Sequence, residues 1–157
     1  MQNKLIICLI IFITLSFTYS AVANSTELSK DCSNLDLTQR NFSGMNLENV
    51  NFEKANLRKA NFSNANLKNA NFKEAEIEKA VFTGANLEGA NFYKADLEDS
   101  TFEGANLKGA NFEKADLEEV SLLKANLTDT NFKHAELEYA TWPDGKVCAA
   151  GSVGSCW

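Results

Sequence analysis

From Leu37 to Trp142 a large apolar residue falls on every fifth position without a break in phase. The series opens Leu37, Phe42, Leu47, Phe52 and closes Leu127, Phe132, Leu137, Trp142. Two positions before each rung from Leu57 onward sits a small residue, which from Ala55 to Ala140 is alanine except at Ser100, Val120 and Thr130. The three remaining positions are mostly polar, charged or glycine, with Val81, Leu123 and Pro143 as exceptions. A period of five matches neither a helix at 3.6 nor a strand at 2, so the pattern predicts a chain that turns at a fixed point in every unit. It is the mark of a repeat architecture.

The units Ala55-Asn56-Leu57-Arg58-Lys59 and Ala60-Asn61-Phe62-Ser63-Asn64 resemble those of the pentapeptide-repeat family. The resemblance implies an all-β fold, a right-handed quadrilateral β-helix in which each unit forms one side and four units close a coil. About five coils, capped at both ends, are expected, with the rung and the small residue pointing inward.

The residue before each Leu or Ile rung supports that coil length independently. It reads Asp36, Asn46, Asn56, Asn66, Glu76, Asn86, Asp96, Asn106, Asp116, Asn126, Glu136, with asparagine at Asn46 and every 20 residues after it and mostly acidic residues between. The environment therefore repeats every 20 residues. Leu and Phe alternate every ten, which sends phenylalanine to two opposite sides and stacks like on like. Alanine two before the rung follows from packing, because two opposed bulky rungs leave no room for a second large side chain. Gly44, Gly84, Gly89, Gly104 and Gly109 all fall two after a rung, with Asn49, Asn64, Asn69, Asp99 and Asp129 in the same slot. These types tolerate φ > 0, so the corner is placed there.

Residues 1–23 read as a secretory signal: Lys4, an apolar run from Leu5 to Phe17, and Ala21-Val22-Ala23 before a cut at Asn24. The alternative is an uncleaved anchor, since Leu5 to Ala23 nearly spans a bilayer. Residues 24–36 form an N-terminal cap ahead of repeats at 37–142, because Leu35, Arg40, Met45 and Val50 fill the small slot with larger residues. Cys32 lies on the ladder phase and is expected as a buried structural thiol, with an intermolecular bond as the alternative. The tail at 143–157, W-P-D-G-x-x-C-x-x-G-S-x-G-x-C from Trp142, resembles the ending of exported pentapeptide-repeat proteins, and in an oxidising compartment Cys148 and Cys156 close a loop over the last coil. Periplasm or secretion is the expected location.

After removal of Lys4 the net charge is one unit more negative than the −6 of the full chain. An acidic surface without a basic cluster argues against nucleic acid, and a cleaved signal leaves no membrane contact. The single histidine, His134, stands at a corner, with no metal-binding or nucleophile motif around it. No enzyme, cofactor or metal centre is expected, and a core filled by Phe and Leu leaves no pocket.

One surface differs from the rest. Asn46, Asn66, Asn86, Asn106, Asn126 and Asn51, Asn71, Asn91, Asn111, Asn131 make two amide columns that can bond neighbour to neighbour. The side with Leu57, Ile77, Leu97, Leu117 and Leu137 instead gathers Asp96, Glu98, Asp99, Asp116, Glu118 and Glu119 on two adjacent coils. The plainer reading is a solvated face that keeps an exported rod soluble. The functional one is docking of a basic protein partner, or loose binding of divalent cations. A DNA-mimicking binder of a type II topoisomerase is the alternative if the chain stays in the cytoplasm. End-to-end self-association through the caps completes the expected partners.

Overall fold

The structure, a computed structural model, describes residues 30–156; the signal at 1–23, most of the N-terminal cap and Trp157 lie outside them. From Asp31↔Asn51 to Ser121↔Thr141, each residue before a rung forms a parallel β-bridge with the residue 20 positions on. The chain is thus a β-helical solenoid whose coil is 20 residues and four five-residue sides. Side 1 carries Cys32, Phe52, Phe72, Phe92, Phe112 and Phe132. Side 2 carries Leu37 to Leu137, side 3 Phe42 to Trp142, and side 4 Leu47 to Leu127, each at the same interval.

Each unit makes the same backbone bonds. Phe72 N–H donates to Asn91 O at 2.7 Å and Glu74 N–H to Tyr93 O at 2.9 Å, both on the following coil. Ala75 N–H closes a turn onto Phe72 O at 3.1 Å, with Glu74 at φ 56°. Positive φ at the third residue alone is the signature of a type II turn. The corner expected two after each rung is therefore found there, but so are Lys54, Lys94, Glu119, His134 and Tyr139 at φ 56–60°. Side chains ill suited to the left-handed region are held in it because the turn N–H groups are already committed to neighbouring coils. Gly84 has an added reason: a Cβ there would meet Asn64 Oδ1 at 2.6 Å.

The core is two ribbons of phenylalanine. Within a side the rings stack, as Phe72 on Phe92 at 4.7 Å and 1°, and between sides 1 and 3 they meet edge to face, as Phe82 and Phe92 at 6.0 Å and 89°. Both are favoured arrangements of the ring quadrupole. Ser100 fits the small slot because its buried Oγ donates to Ile77 O at 2.8 Å and accepts from Ala80 N–H at 3.2 Å.

Both expected asparagine columns are hydrogen-bonded ladders. Asn86 Nδ2 donates to Asn66 Oδ1 at 3.2 Å, and Asn91 Nδ2 to Asn71 Oδ1 at 3.1 Å. Each Oδ1 also takes the N–H two residues on, as Tyr93 N–H to Asn91 at 3.2 Å. On side 1 the ladder ends on Asp31, whose Oδ1 accepts from Asn51 Nδ2 at 3.1 Å. Cys32 is buried on the ladder, but its sulfur is disulfide-bonded, which corrects the expectation of a buried thiol.

After Trp142 the chain reverses. Val147 pairs antiparallel with Thr141 on side 3, and Val153 with Glu136 on side 2. Cys148 and Cys156 are joined, with Cα atoms 4.8 Å apart and Cys148 fully buried. The tail covers sides 2 and 3 of the last coil.

Candidate functional site: the acidic side

Side 2 breaks the asparagine rule, and the geometry shows what that substitution keeps and loses. Asp96 Oδ1 still accepts Glu98 N–H at 3.4 Å and Asp116 Oδ1 accepts Glu118 N–H at 3.0 Å, the local bond asparagine makes elsewhere. A carboxylate has no N–H to hand to the coil before it. The inter-coil ladder is lost on this side and a charge stands in its place.

Asp96, Glu98 and Asp99 stand one coil before Asp116, Glu118 and Glu119 on side 2. Asp96 and Asp116 are bridged directly, and Asp99 N–H donates to Glu118 O at 3.1 Å. They belong to a longer column that runs from Glu76 and Glu78 through Glu136 and Glu138, the members before the rung bridged coil to coil. Arg58 closes its N-terminal end. Its Nη2 and Nε reach Glu78 Oε1 at 2.6 and 2.9 Å, and its Nη1 reaches Glu76 Oε2 at 3.0 Å. Sequence pattern alone does not reveal this forked guanidinium, because its partners stand 18 and 20 residues away on the next coil. Lys79 Nζ sits 3.1 Å from Asp99 Oδ2, which removes Asp99 from the uncompensated set.

Beyond Asp99, among the described residues, no lysine or arginine pairs with Glu98, Asp116, Glu118, Glu119, Glu136 or Glu138. The titration directions follow. Desolvation first, then Glu138, Asp116, Glu98 and Glu119, push the Glu118 carboxyl up. Desolvation, Glu78 and Asp116 push Asp96 up, against the bond from Glu98 N–H. Glu78 is held down, chiefly by Arg58. Its bond to Glu138, and the charges of Glu138, Glu118 and Glu119, raise the Tyr139 phenol above its usual value.

No group of His, Cys, Asp or Glu among the described residues is arranged to hold a metal ion. The side is flat and regular, with its carboxylates spaced by the coil and not wrapped around a centre. It suits an extended surface contact.

The pentapeptide-repeat model matches residues 31–73, 65–104 and 105–141, in eight copies. The chain belongs to the pentapeptide-repeat family. The coils described above are those of this family's right-handed quadrilateral β-helix. Rfr23, a pentapeptide-repeat protein of the cyanobacterium Cyanothece 51142, is 26% identical over 74% of this chain and 93% of its own, with a TM-score of 0.72. A pentapeptide-repeat protein of the Arabidopsis thaliana thylakoid lumen is 25% identical over 87% of this chain and 91% of its own, with a TM-score of 0.37. QnrB1, a plasmid-mediated fluoroquinolone resistance protein, is 21% identical over 70% and 69%, with a TM-score of 0.41. No curated protein matches the sequence.

Proposed function

We propose that this pentapeptide-repeat protein is a non-enzymatic, exported rod of about five coils, capped at both ends, that docks a basic protein partner on side 2. The observation that carries the reading is the column of carboxylates from Asp96 to Glu138, stacked one coil apart with no cation set between them. Like charges at that spacing cost stability, whereas the post-rung column of side 4 alternates Glu48, Lys68, Glu88 and Lys108 and pairs Lys68 with Glu88 at 3.2 Å. A fold that can alternate charge on one side and does not on another supports a use for the second. A flat column of carboxylates steers and orients a cationic surface better than it encloses a small ligand.

Export is supported by the signal pattern at 1–23 and by the Cys148–Cys156 disulfide, a bond that persists in oxidising compartments. Cell fractionation with intact-mass measurement tests it, the expected species beginning at Asn24 outside the cytoplasm. A full-length cytosolic protein would overturn export. Docking is tested by placing a photocrosslinking residue at Glu119 on side 2 and, as control, at Glu88 on side 4. A basic adduct specific to Glu119 and lost in Glu98→Lys/Glu118→Lys is expected. Equal adducts at both positions would leave side 2 a solvated surface.

A further inference from the structure

The C-terminal end of the rod is a step. The tail lies one strand thick on sides 2 and 3, so sides 4 and 1 of the last coil stand lower by roughly 4.8 Å. On that lower half, backbone groups that are paired on every earlier coil have no partner among the described residues: the N–H groups of Leu127, Asp129, Phe132 and His134, and Ala125 O and Thr130 O. Phe132 is 9% exposed where Phe52 to Phe112 are 0%, and Leu127 is only partly buried. The upper half is unpaired too. Val147 and Val153 use neither N–H nor O in holding the tail down, and their side chains are 55% and 52% exposed.

We propose that this step is the docking surface for a second copy of the chain, in an end-to-end dimer whose two tails share one layer. A two-fold axis across the rod, along the diagonal through the corner between sides 1 and 2 and that between sides 3 and 4, exchanges side 1 with side 2 and side 3 with side 4. The tail of each copy then lies on the open half of the other. The chain direction fits: each tail runs antiparallel to its own coil and so parallel to the inverted coil of its mate. Val147 falls opposite the mate's Asn126, and Val153 opposite the mate's Asn131. In a parallel bridge the residue donates to the carbonyl before its mate and accepts from the N–H after it. Val147 therefore pairs with Ala125 O and Leu127 N–H of the other copy, and Val153 with Thr130 O and Phe132 N–H. Leu127 N–H, Phe132 N–H, Ala125 O and Thr130 O thus find their complements, and the axis makes the set twice over.

The complementarity selects this occupant over simpler stacking. Tail-to-tail contact about the other diagonal sets tail on tail and holds the open halves apart. Ser152, in the shared layer, has the one buried side-chain polar atom without a partner among the described residues. An isologous contact is closed, so it stops at two copies. The inference is independent of the acidic side.

The oxidised, full mature chain should show a concentration-dependent monomer–dimer equilibrium by sedimentation. Val147→Pro and Val153→Pro each remove an N–H that the monomer does not use, and should raise the dissociation midpoint by about tenfold or more with little change in the monomer's melt. Asn126→Cys/Val147→Cys joins residues on adjoining sides of one rod that meet only between rods, and should give a covalent dimer on oxidation. That readout stands even if a proline variant fails to fold. A monomer up to about 1 mM with no crosslinked dimer, or a polymer without end, would overturn the proposal.

Discussion

Arg58 Nη2 lies 2.6 Å from Glu78 Oε1 on the following coil, and Arg58 Nη1 lies 3.0 Å from Glu76. One guanidinium thus neutralises the start of a carboxylate column and leaves its length untouched. Replacing Arg58 by Gln should lower the melting temperature, because Glu76 and Glu78 then join the repulsion. The deficit should shrink in about 1 M salt, where exposed charges are screened within roughly 3 Å. A deficit that salt leaves unchanged would locate the effect in packing.

Reversing charge further along should act the other way. Glu98→Lys/Glu118→Lys places two cations among Asp96, Asp116 and Glu138, and the rod should melt at a higher temperature than the parent. Glu88→Lys, on the side already balanced by Lys68, should lower it. Thermal melts of the two variants side by side decide whether the column repels as argued.

Acidification should stabilise the protein before it destabilises it. Asp96 and Glu118 have raised folded values, so the folded chain binds protons more readily than the unfolded one, and their unfavourable contribution is relieved as pH falls from neutral through those raised values. Glu78 is held low by Arg58, so its contribution is present above the ordinary carboxylate range and is lost as pH falls through its depressed value. A stability maximum on the acid side of neutral is expected in urea titrations. A monotonic fall from pH 7 would contradict the assignment.

The phenylalanine ribbons should dominate the energetics. Phe92 stacks on Phe72 and Phe112 at 4.7 Å and meets Phe82 and Phe102 edge-on. Phe92→Ala should cost about 3–5 kcal/mol by urea denaturation. Phe102→Leu should cost far less, since Leu122 already occupies the next slot of that column.

Reduction of Cys148–Cys156 should release the tail first. Trp142 N–H to Lys146 O at 2.7 Å and Leu137 N–H to Ser152 O at 2.9 Å are the bonds it holds. Exchange at these two amides should quicken on reduction while Phe92 and Leu97 stay protected, and global stability should fall by about 2–4 kcal/mol.

The regular part of this molecule was open to reading because each repeat carries its own instruction. The Phe and Leu ladder marked the five-residue sides, the alternation of asparagine and acid before the Leu rungs marked the 20-residue coil, the glycines of the corner slot marked φ > 0, and the asparagine columns anticipated bonds that the structure contains. What escaped depended on contacts 20 residues apart between unlike positions. Arg58 reaching two glutamates and Lys79 capturing Asp99 require long side chains whose direction a column does not reveal. Lysine, glutamate and tyrosine at left-handed corners show the same limit, since their propensity is overruled by bonds to the coils on either side. The tail lay beyond the periodic signal, so its reversal over sides 2 and 3 had no pattern to announce it.

The parallel bridges join each residue only to those 20 positions away. An insertion of five residues would turn everything beyond it by a quarter circle and carry later carboxylates onto a different side; one of ten would turn it by half. The length of such a protein is therefore quantised: it can grow or shrink by whole coils and keep its surfaces in line, and by nothing smaller.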